Sequence, residues 1–157
     1  MIAMSKRTAV DDPLITTFGR LIEAHAHLTQ QLGRSLEREC GISHVWFEVL
    51  LRIARADGGQ VSMSSLAQQV ALTTGGVTRL LDRMIAADLV ERVPCSSDRR
   101  VSFAALTGHG RQTLEAAAQW HAHELRAVFA PFSRADISTL DRLLDQLRVT
   151  RPEPDPR

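Results

Sequence analysis

The sequence predicts a mainly α fold of the α+β kind, in which a helix-turn-helix and a β-hairpin lie between long helices at the two ends of the chain. Three observations lead to this prediction. Over most of the 157 residues, apolar side chains recur at three- and four-residue spacings, which is the period of an amphipathic helix. Residues 62–85 contain two such segments, separated by only a few residues. Residues 89–106 change to strand-like segments around a polar, turn-prone link.

Two helices open the predicted fold. The first begins at Pro13, after an acidic pair that suits the positive end of a helix dipole, and it ends near Gly41. Its apolar stripe consists of Leu14, Phe18, Leu21, Ile22, His25, Leu28, Leu32 and Leu36. Ser43 is the predicted N-cap of the second helix, which ends at residues 57–59. The residues of this helix that we expect to face inward are Val45, Trp46, Val49, Leu50, Ile53 and Ala54.

The helix-turn-helix is predicted from residues 62–85. The buried side of its short first helix consists of Leu66, Ala67 and Val70. Residues 71–72 make the turn, and Thr73 or Thr74 is the N-cap of the second helix, because a Thr hydroxyl accepts a hydrogen bond from the free N–H groups there. The second helix has one apolar stripe, formed by Val77, Leu80, Leu81, Met84 and Ile85.

The opposite face of that second helix combines short polar residues with two arginines. We predict DNA contacts for Thr73, Thr74, Gly75, Gly76, Thr78, Arg79 and Arg83. A helix that is buried on one side and carries such groups near its start suits the major groove. For the arginines, the alternative is surface pairing with Asp82, Glu91 or Asp98. For the threonines, the alternative is that they only begin the helix and do not contact DNA.

Two short strands over residues 89–93 and 101–106 predict a β-hairpin wing, to which residues 60–61 add a third strand. Arg99 and Arg100 lie near the wing tip, where an Arg can enter a narrow minor groove. A solvated turn is the alternative. A helix-turn-helix followed by a wing is a plan typical of nucleic-acid-binding proteins.

Two further helices, over residues 107–130 and 133–148, complete the predicted fold. Thr107 and Ser133 are their predicted N-caps, and Pro131 separates them. Together with the first helix, they carry more apolar surface than one small winged domain can cover. We therefore expect a homodimer through the terminal helices, with a monomer capped by its own helices as the alternative.

The domain organisation follows from these elements. Residues 1–12 are a predicted mobile arm, residues 149–157 a predicted disordered tail, and residues 13–148 a single domain. Within that domain we expect, in chain order, a dimerisation helix at 13–40, a winged helix-turn-helix at 43–106 and the remaining dimerisation helices at 107–148.

Several motifs carry a resemblance to a known family. They are VTRLLDRM over residues 77–84, DLVER over 88–92, D-x-R over 98–100, the LT pair at 106–107 and Gly110. In this order they resemble the multiple antibiotic resistance regulator (MarR) family of winged-helix repressors, over roughly residues 12–148. Two departures are visible. Asp88 stands where the family usually has Gly, although Asp tolerates a left-handed turn conformation, and residues 75–76 are both Gly where bulkier polar residues are common.

The resemblance implies a sequence-specific DNA-binding transcriptional regulator whose partner is double-stranded DNA. It further implies a homodimeric repressor of a pseudo-palindromic operator, released by a small-molecule effector that is often an aromatic acid. Family ligands bind between the dimerisation helices and the winged domain, where His25, His44 and Trp46 could line a pocket; ordinary core packing is the alternative. Because some relatives sense oxidants through Cys, a redox-sensing regulator using Cys40 or Cys95 is a further alternative.

Composition and charge narrow the remaining classes of function. The formal net charge is +1, so DNA affinity must come from local placement of charge. No apolar run approaches the ~18 residues of a membrane span, and no signal-peptide pattern opens the chain, which predicts a cytoplasmic protein without a membrane partner. The rival function is a winged-helix module for protein assembly, or for ligand binding without DNA, whose recognition face would be apolar.

We expect no enzyme activity, metal site or cofactor. The two cysteines have no metal-ligand spacing, and His121 and His123 project ~200° apart on a helix, so they cannot share a metal ion. No Ser-His-Asp order, glycine-rich phosphate loop or paired buried carboxylates is present in the sequence.

Overall fold

The computed structural model describes residues 9–69, 74–94 and 102–149. The chain divides into two compact units, Met1–His121 and Ala122–Arg157. Six α-helices and three strands lie in the described residues, together with the 3-10 turns Ala9–Asp11 and Asp57–Gly59. In chain order they are α1 (Pro13–Cys40), α2 (His44–Arg55), β1 (Gln60–Ser62), α3 (Met63–Gln69), α4 (Thr74–Ala86), β2 (Val90–Pro94), β3 (Ser102–Leu106), α5 (Gly108–Phe129) and α6 (Arg134–Val149). The predicted α+β winged helix-turn-helix fold is therefore confirmed.

Local hydrogen bonds fix the two ends of α1. The Asp12 carboxylate accepts from the N–H of Leu14 at 2.8 Å, and Pro13 occupies the first helical position, where its missing N–H costs nothing. At the other end Gly41 has a φ of 69°, and its N–H donates to the carbonyl of Glu37 at 3.1 Å. Both predicted boundaries of this helix are confirmed.

The second helix begins as predicted, but its buried face differs from the prediction. Ser43 Oγ accepts from the N–H of Trp46 at 3.3 Å, which confirms the cap. Val45, expected inside, is 42% exposed, whereas Phe47 is buried at 4% and packs its ring 4.8 Å from that of His121. Residues 45 and 47 project about 200° apart, so burial of the larger aromatic side chain turns Val45 outward. Ala54, also expected to face inward, is exposed.

The three strands form an antiparallel sheet with the order β1-β3-β2. Val61 is paired with Ala104, and Val90 with Leu106, so small and branched side chains meet on the buried side. The third strand predicted at residues 60–61 is confirmed as β1. The hairpin link between β2 and β3, residues 95–101, lies outside the described residues.

The core of the first unit joins α2, α3 and α4 to the sheet. The helix-turn-helix contributes Leu66, Ala67, Val77, Leu81 and Met84, each less than a tenth exposed. Leu80 and Ile85, at the edges of the predicted stripe on α4, are only partly buried. Val70 lies outside the described residues. Because one side of α4 is fully covered, the other side is left facing outward.

Side-chain caps start the last two helices. Thr107 Oγ1 accepts from the N–H of Gly110 at 2.9 Å, and Ser133 Oγ accepts from the N–H of Asp136 at 3.1 Å, so both predicted N-caps are confirmed. The Asp136 carboxylate in turn accepts from the N–H and the hydroxyl of Ser133. These hydrogen bonds lower the pKa of Asp136 below its usual value.

None of the described helices combines the length and the apolar character that crossing a membrane requires. The predicted N-terminal arm lies largely outside the described residues, which begin at Ala9, and the predicted tail lies outside them from residue 150.

Candidate nucleic-acid interface

The outward face of α4 carries Arg79 and Arg83, and both side chains are exposed. They lie four residues apart, and therefore on one side of the helix. Within the described ranges neither of them forms an ion pair. Of the three alternative acidic partners, Asp82 is instead bonded to Arg92 at 2.6 Å, and Glu91 forms no ion pair with either arginine in the part of the chain that the structure describes. Asp98, the third, lies outside the described residues.

The Asp82–Arg92 pair joins α4 to strand β2. Both side chains are about half exposed, so the pair contributes at most ~1 kcal/mol to stability. The pair also connects β2, the first wing strand, to α4. Sequence reasoning missed Arg92, although Arg92 lies in one of the motifs that carry the family resemblance.

Arg83 also contacts α2. Its guanidinium carbon lies 5.8 Å from the centre of the Trp46 ring, a distance at which a cation is attracted to an aromatic face. Trp46 lies half-buried in the first turn of α2, whereas Arg83 is exposed. This contact limits the directions in which Arg83 extends from the helix.

The other residues predicted to contact DNA divide into two groups. Thr74 and Gly75 open α4, and Gly76 and Thr78 follow in its first turns, where both are partly buried. The remaining predicted contacts lie outside the described residues, and they are Thr73, Arg99 and Arg100.

The three residues predicted to line a ligand pocket do not all meet within one chain. A Cβ built on Gly33 of α1 would lie 3.3 Å from the Cβ of His44, so His44 faces the middle of that helix. His25 lies eight residues earlier and is exposed, about 12 Å away along the helix axis. His44 instead has its ring 6.1 Å from His121, and its Nε2 lies 3.4 Å from a carboxylate oxygen of Glu48. Sequence reasoning did not include His121 in this set, because no local pattern links it to α2.

The thiol of Cys40 is not activated. Burial and the neighbouring Glu39 carboxylate both raise the pKa of Cys40. The nearby Arg38 is bonded to Glu39 at 2.6 Å and does not offset that effect. Since the thiolate is the species that reacts with oxidants, the environment of Cys40 opposes the redox-sensing alternative at this position. Cys95 lies outside the described residues.

Two helices present apolar side chains that are exposed in the part of the chain that the structure describes. On α1 the exposed residues are Leu14, Ile15, Phe18, Leu21 and Ile22. On α6 they are Ile137, Leu140, Leu143, Leu144 and Leu147, and no residue of this helix is buried. Leu14 is 76% exposed and Leu147 61%, values that are unusual for leucines repeated on one helix face.

A helix-turn-helix with an exposed basic face, followed by a paired wing sheet, defines a winged-helix transcriptional regulator. A model of the MarR family matches residues 41–101, which include the helix-turn-helix and most of the wing. The chain is therefore similar to the MarR family, whose members are transcriptional regulators.

Individual relatives extend this similarity over nearly the whole chain. The multiple antibiotic resistance protein MarR of Salmonella typhimurium is 28% identical over 134 residues, covering 85% of this chain and 92% of that protein. Sco3205 is a MarR family transcriptional regulator from Streptomyces coelicolor with a crystal structure in complex with DNA. Its sequence is 26% identical to this chain, and the two structures match with a TM-score of 0.78 over 98% of this chain and 96% of that chain. AbsC, also from Streptomyces coelicolor, is 28% identical with a TM-score of 0.74, covering 94% and 100%.

Proposed function

We propose that this chain is a homodimeric repressor that binds a pseudo-palindromic operator and is released by a small molecule. The observation that carries the proposal is the pair Arg79 and Arg83, exposed and free of ion pairs within the described residues, opposite the buried stripe of α4. Unpaired guanidinium groups on such a helix suit bidentate contact with guanine or phosphate. An assembly module would instead expose apolar residues on this face.

In this proposal α4 lies in the major groove. The first residues of this helix, Thr74, Gly75, Gly76 and Thr78, approach the DNA most closely, together with the preceding Thr73. Two glycines there let the backbone come near a phosphate, and the threonines supply short hydrogen-bonding groups. The DNA complex of the relative Sco3205 supports such a role for a chain of the same fold.

Dimerisation is proposed because a second copy would cover the apolar faces of α1 and α6. A twofold dimer also matches a palindromic operator, since it places two recognition helices about one helical turn of DNA apart. We expect light scattering at micromolar concentration to give twice the 17.4 kDa mass of one chain. Leu144→Glu should favour the monomer, because it buries a charge in the interface, while the exposed control Ser138→Glu should not. A monomer for the unmodified protein would exclude this interface.

The wing is proposed to read the minor groove through Arg99 and Arg100. A narrow A·T-rich groove attracts Arg, so operators with A·T-rich flanks should bind better than operators with G·C-rich flanks. Replacing both arginines with Ala should remove the flank preference and keep the ranking of core half-sites. Competition between the two flank types at one salt concentration measures this. A full flank preference in the double variant would show that the wing does not read the groove.

The effector is proposed to be an aromatic acid that stacks on Trp46, and the two other predicted pocket residues, His25 and His44, are tested separately as partners of its carboxylate. A ligand ring that stacks on Trp46 would displace Arg83 from it, which couples ligand binding to the recognition helix. In a Trp120→Phe background, we expect benzoate to change Trp46 fluorescence, and His44→Ala and His25→Ala to weaken that response. A response that is intact in both variants would place the effector elsewhere.

A further inference from the structure

A cavity beside the C-terminal half of α2 combines two arginines with an aliphatic wall. It has a volume of about 410 Å³, which is within the range of small-molecule sites. Its lining consists of Glu48, Leu51, Arg52, Arg55, Ala56 and Val61. None of the three residues proposed for the effector pocket belongs to this lining.

Arg52 has a buried donor without an acceptor. Within the described ranges its buried Nε–H has no hydrogen-bond partner, and the side chain forms no ion pair there. Cations near a helix C-terminus interact favourably with the helix dipole, but a solvent-exposed side chain would serve that purpose equally well. A buried N–H of a charged group costs free energy until an acceptor reaches it.

The nearest acidic side chain does not supply that acceptor. Glu48 lies one turn before Arg52, yet its carboxylate is directed to His44, 3.4 Å from Nε2. Arg55 lies three residues after Arg52, on the same side of the helix, and adds a second positive charge to the cavity wall. An anion in the cavity would therefore meet two guanidinium groups and one carboxylate, that of Glu48, which is directed to His44.

The aliphatic part of the lining determines which kind of anion fits the cavity. Leu51, Ala56 and Val61 are aliphatic, and the described lining contains no aromatic ring. A bare inorganic anion would leave these residues without contacts, whereas an aliphatic body would cover them. We infer that this cavity binds a small organic monoanion, with its carboxylate on Arg52 and Arg55 and its aliphatic body on Leu51 and Val61.

The test uses the full-length protein without DNA and cyclohexanecarboxylate as the probe. Titration followed by the ¹⁵N–¹H resonance of the Arg52 Nε–H should give a saturable shift. Cyclohexylmethanol, the neutral analogue, and inorganic phosphate should bind more weakly. Because the readout is the Arg52 side chain itself, failure here leaves the proposed operator binding unaffected, and binding at the effector pocket would change Trp46 fluorescence instead.

Variants separate charge from hydrogen bonding. We expect Arg52→Met, which keeps an unbranched apolar stem and removes the guanidinium, to weaken calorimetric binding of the probe by roughly tenfold or more. Arg52→Lys should be intermediate, since it keeps the charge but lacks the Nε–H. Arg126→Met, an exposed control on α5, should bind like the unmodified protein. If Arg52→Met does not fold, Arg55→Met and Arg52→Lys provide the same comparison.

Each outcome decides the proposal. Equal binding of the probe by the Arg52 and Arg126 variants, or no saturable shift of the Arg52 resonance, would overturn it. Equal binding of the neutral alcohol would mean that the cavity selects bulk and not charge, and equal binding of phosphate would mean that the aliphatic wall plays no part. Either result would also overturn the assignment.

Discussion

Replacing Gly110 with Ala is expected to lower the free energy of unfolding by about 3 kcal/mol or more. A Cβ at this position would lie 1.9 Å from the carbonyl oxygen of Leu89 and 2.8 Å from its carbonyl carbon. Both atoms belong to the backbone at the entrance to β2, so relief requires movement of the wing strand or of α5. The better helix propensity of Ala returns only ~1 kcal/mol. The steric clash therefore outweighs the gain in helix propensity, and the variant is less stable than the unmodified protein.

The hydrogen bonds of Thr107 hold the first turn of α5 close to the backbone of Leu89. Thr107 Oγ1 donates to the carbonyl of Asp88 and accepts from the N–H of Gly110, so one hydroxyl joins the turn before β2 to the first turn of α5. Asp88 adopts the left-handed conformation there, with a φ of 55°. Packing of these two turns leaves no volume for a side chain at residue 110.

Gly108 provides a matched control for Gly110. It lies in the same first turn of α5, and a Cβ built on it meets nothing within 4 Å. We expect Gly108→Ala to be neutral or slightly stabilising. Urea denaturation midpoints of the two variants and the unmodified protein make the comparison. Equal midpoints for both variants would mean that α5 and the wing entrance are further apart than the structure shows.

The helix boundaries could be predicted from sequence because local hydrogen bonds set them. Ser43, Thr107 and Ser133 each cap a helix within three residues of their own position. The apolar stripe of α4 was likewise predictable, since its period is a property of one helix. The burial of Phe47 in place of Val45 was not, because it depends on His121, which lies 74 residues further along the chain.

The candidate site was predictable only in part, for the same physical reason. Exposure of Arg79 and Arg83 follows from the stripe opposite them. Their contacts do not, because the Asp82–Arg92 pair and the position of Arg83 on Trp46 are set by tertiary packing. The cavity at Arg52 was also missed, since the charge of a side chain is visible in the sequence but its lack of an acceptor is not.

Arg79→Ala and Arg83→Ala are each expected to weaken operator binding by about 1–3 kcal/mol per half-site. Both side chains are exposed, and neither is ion-paired within the described residues. The free energy of unfolding should therefore change by no more than ~0.5 kcal/mol for Arg79→Ala, and by about 1 kcal/mol at most for Arg83→Ala, which also loses the contact with Trp46. Arg38→Ala, an exposed arginine on α1, is the control and should bind DNA like the unmodified protein.

The mode of contact distinguishes the two arginines. Loss of a base contact relaxes sequence preference at one position, whereas loss of a phosphate contact weakens all sequences alike and lowers the salt slope by about one. The contact with Trp46 restricts the directions in which Arg83 extends. We therefore expect Arg83→Ala to give only one of these two results, not a mixture of both. Duplexes selected from a random pool by the unmodified protein, titrated at several salt concentrations, provide the measurement. Unchanged affinity in both variants would exclude α4 as the DNA-reading helix and favour the assembly function.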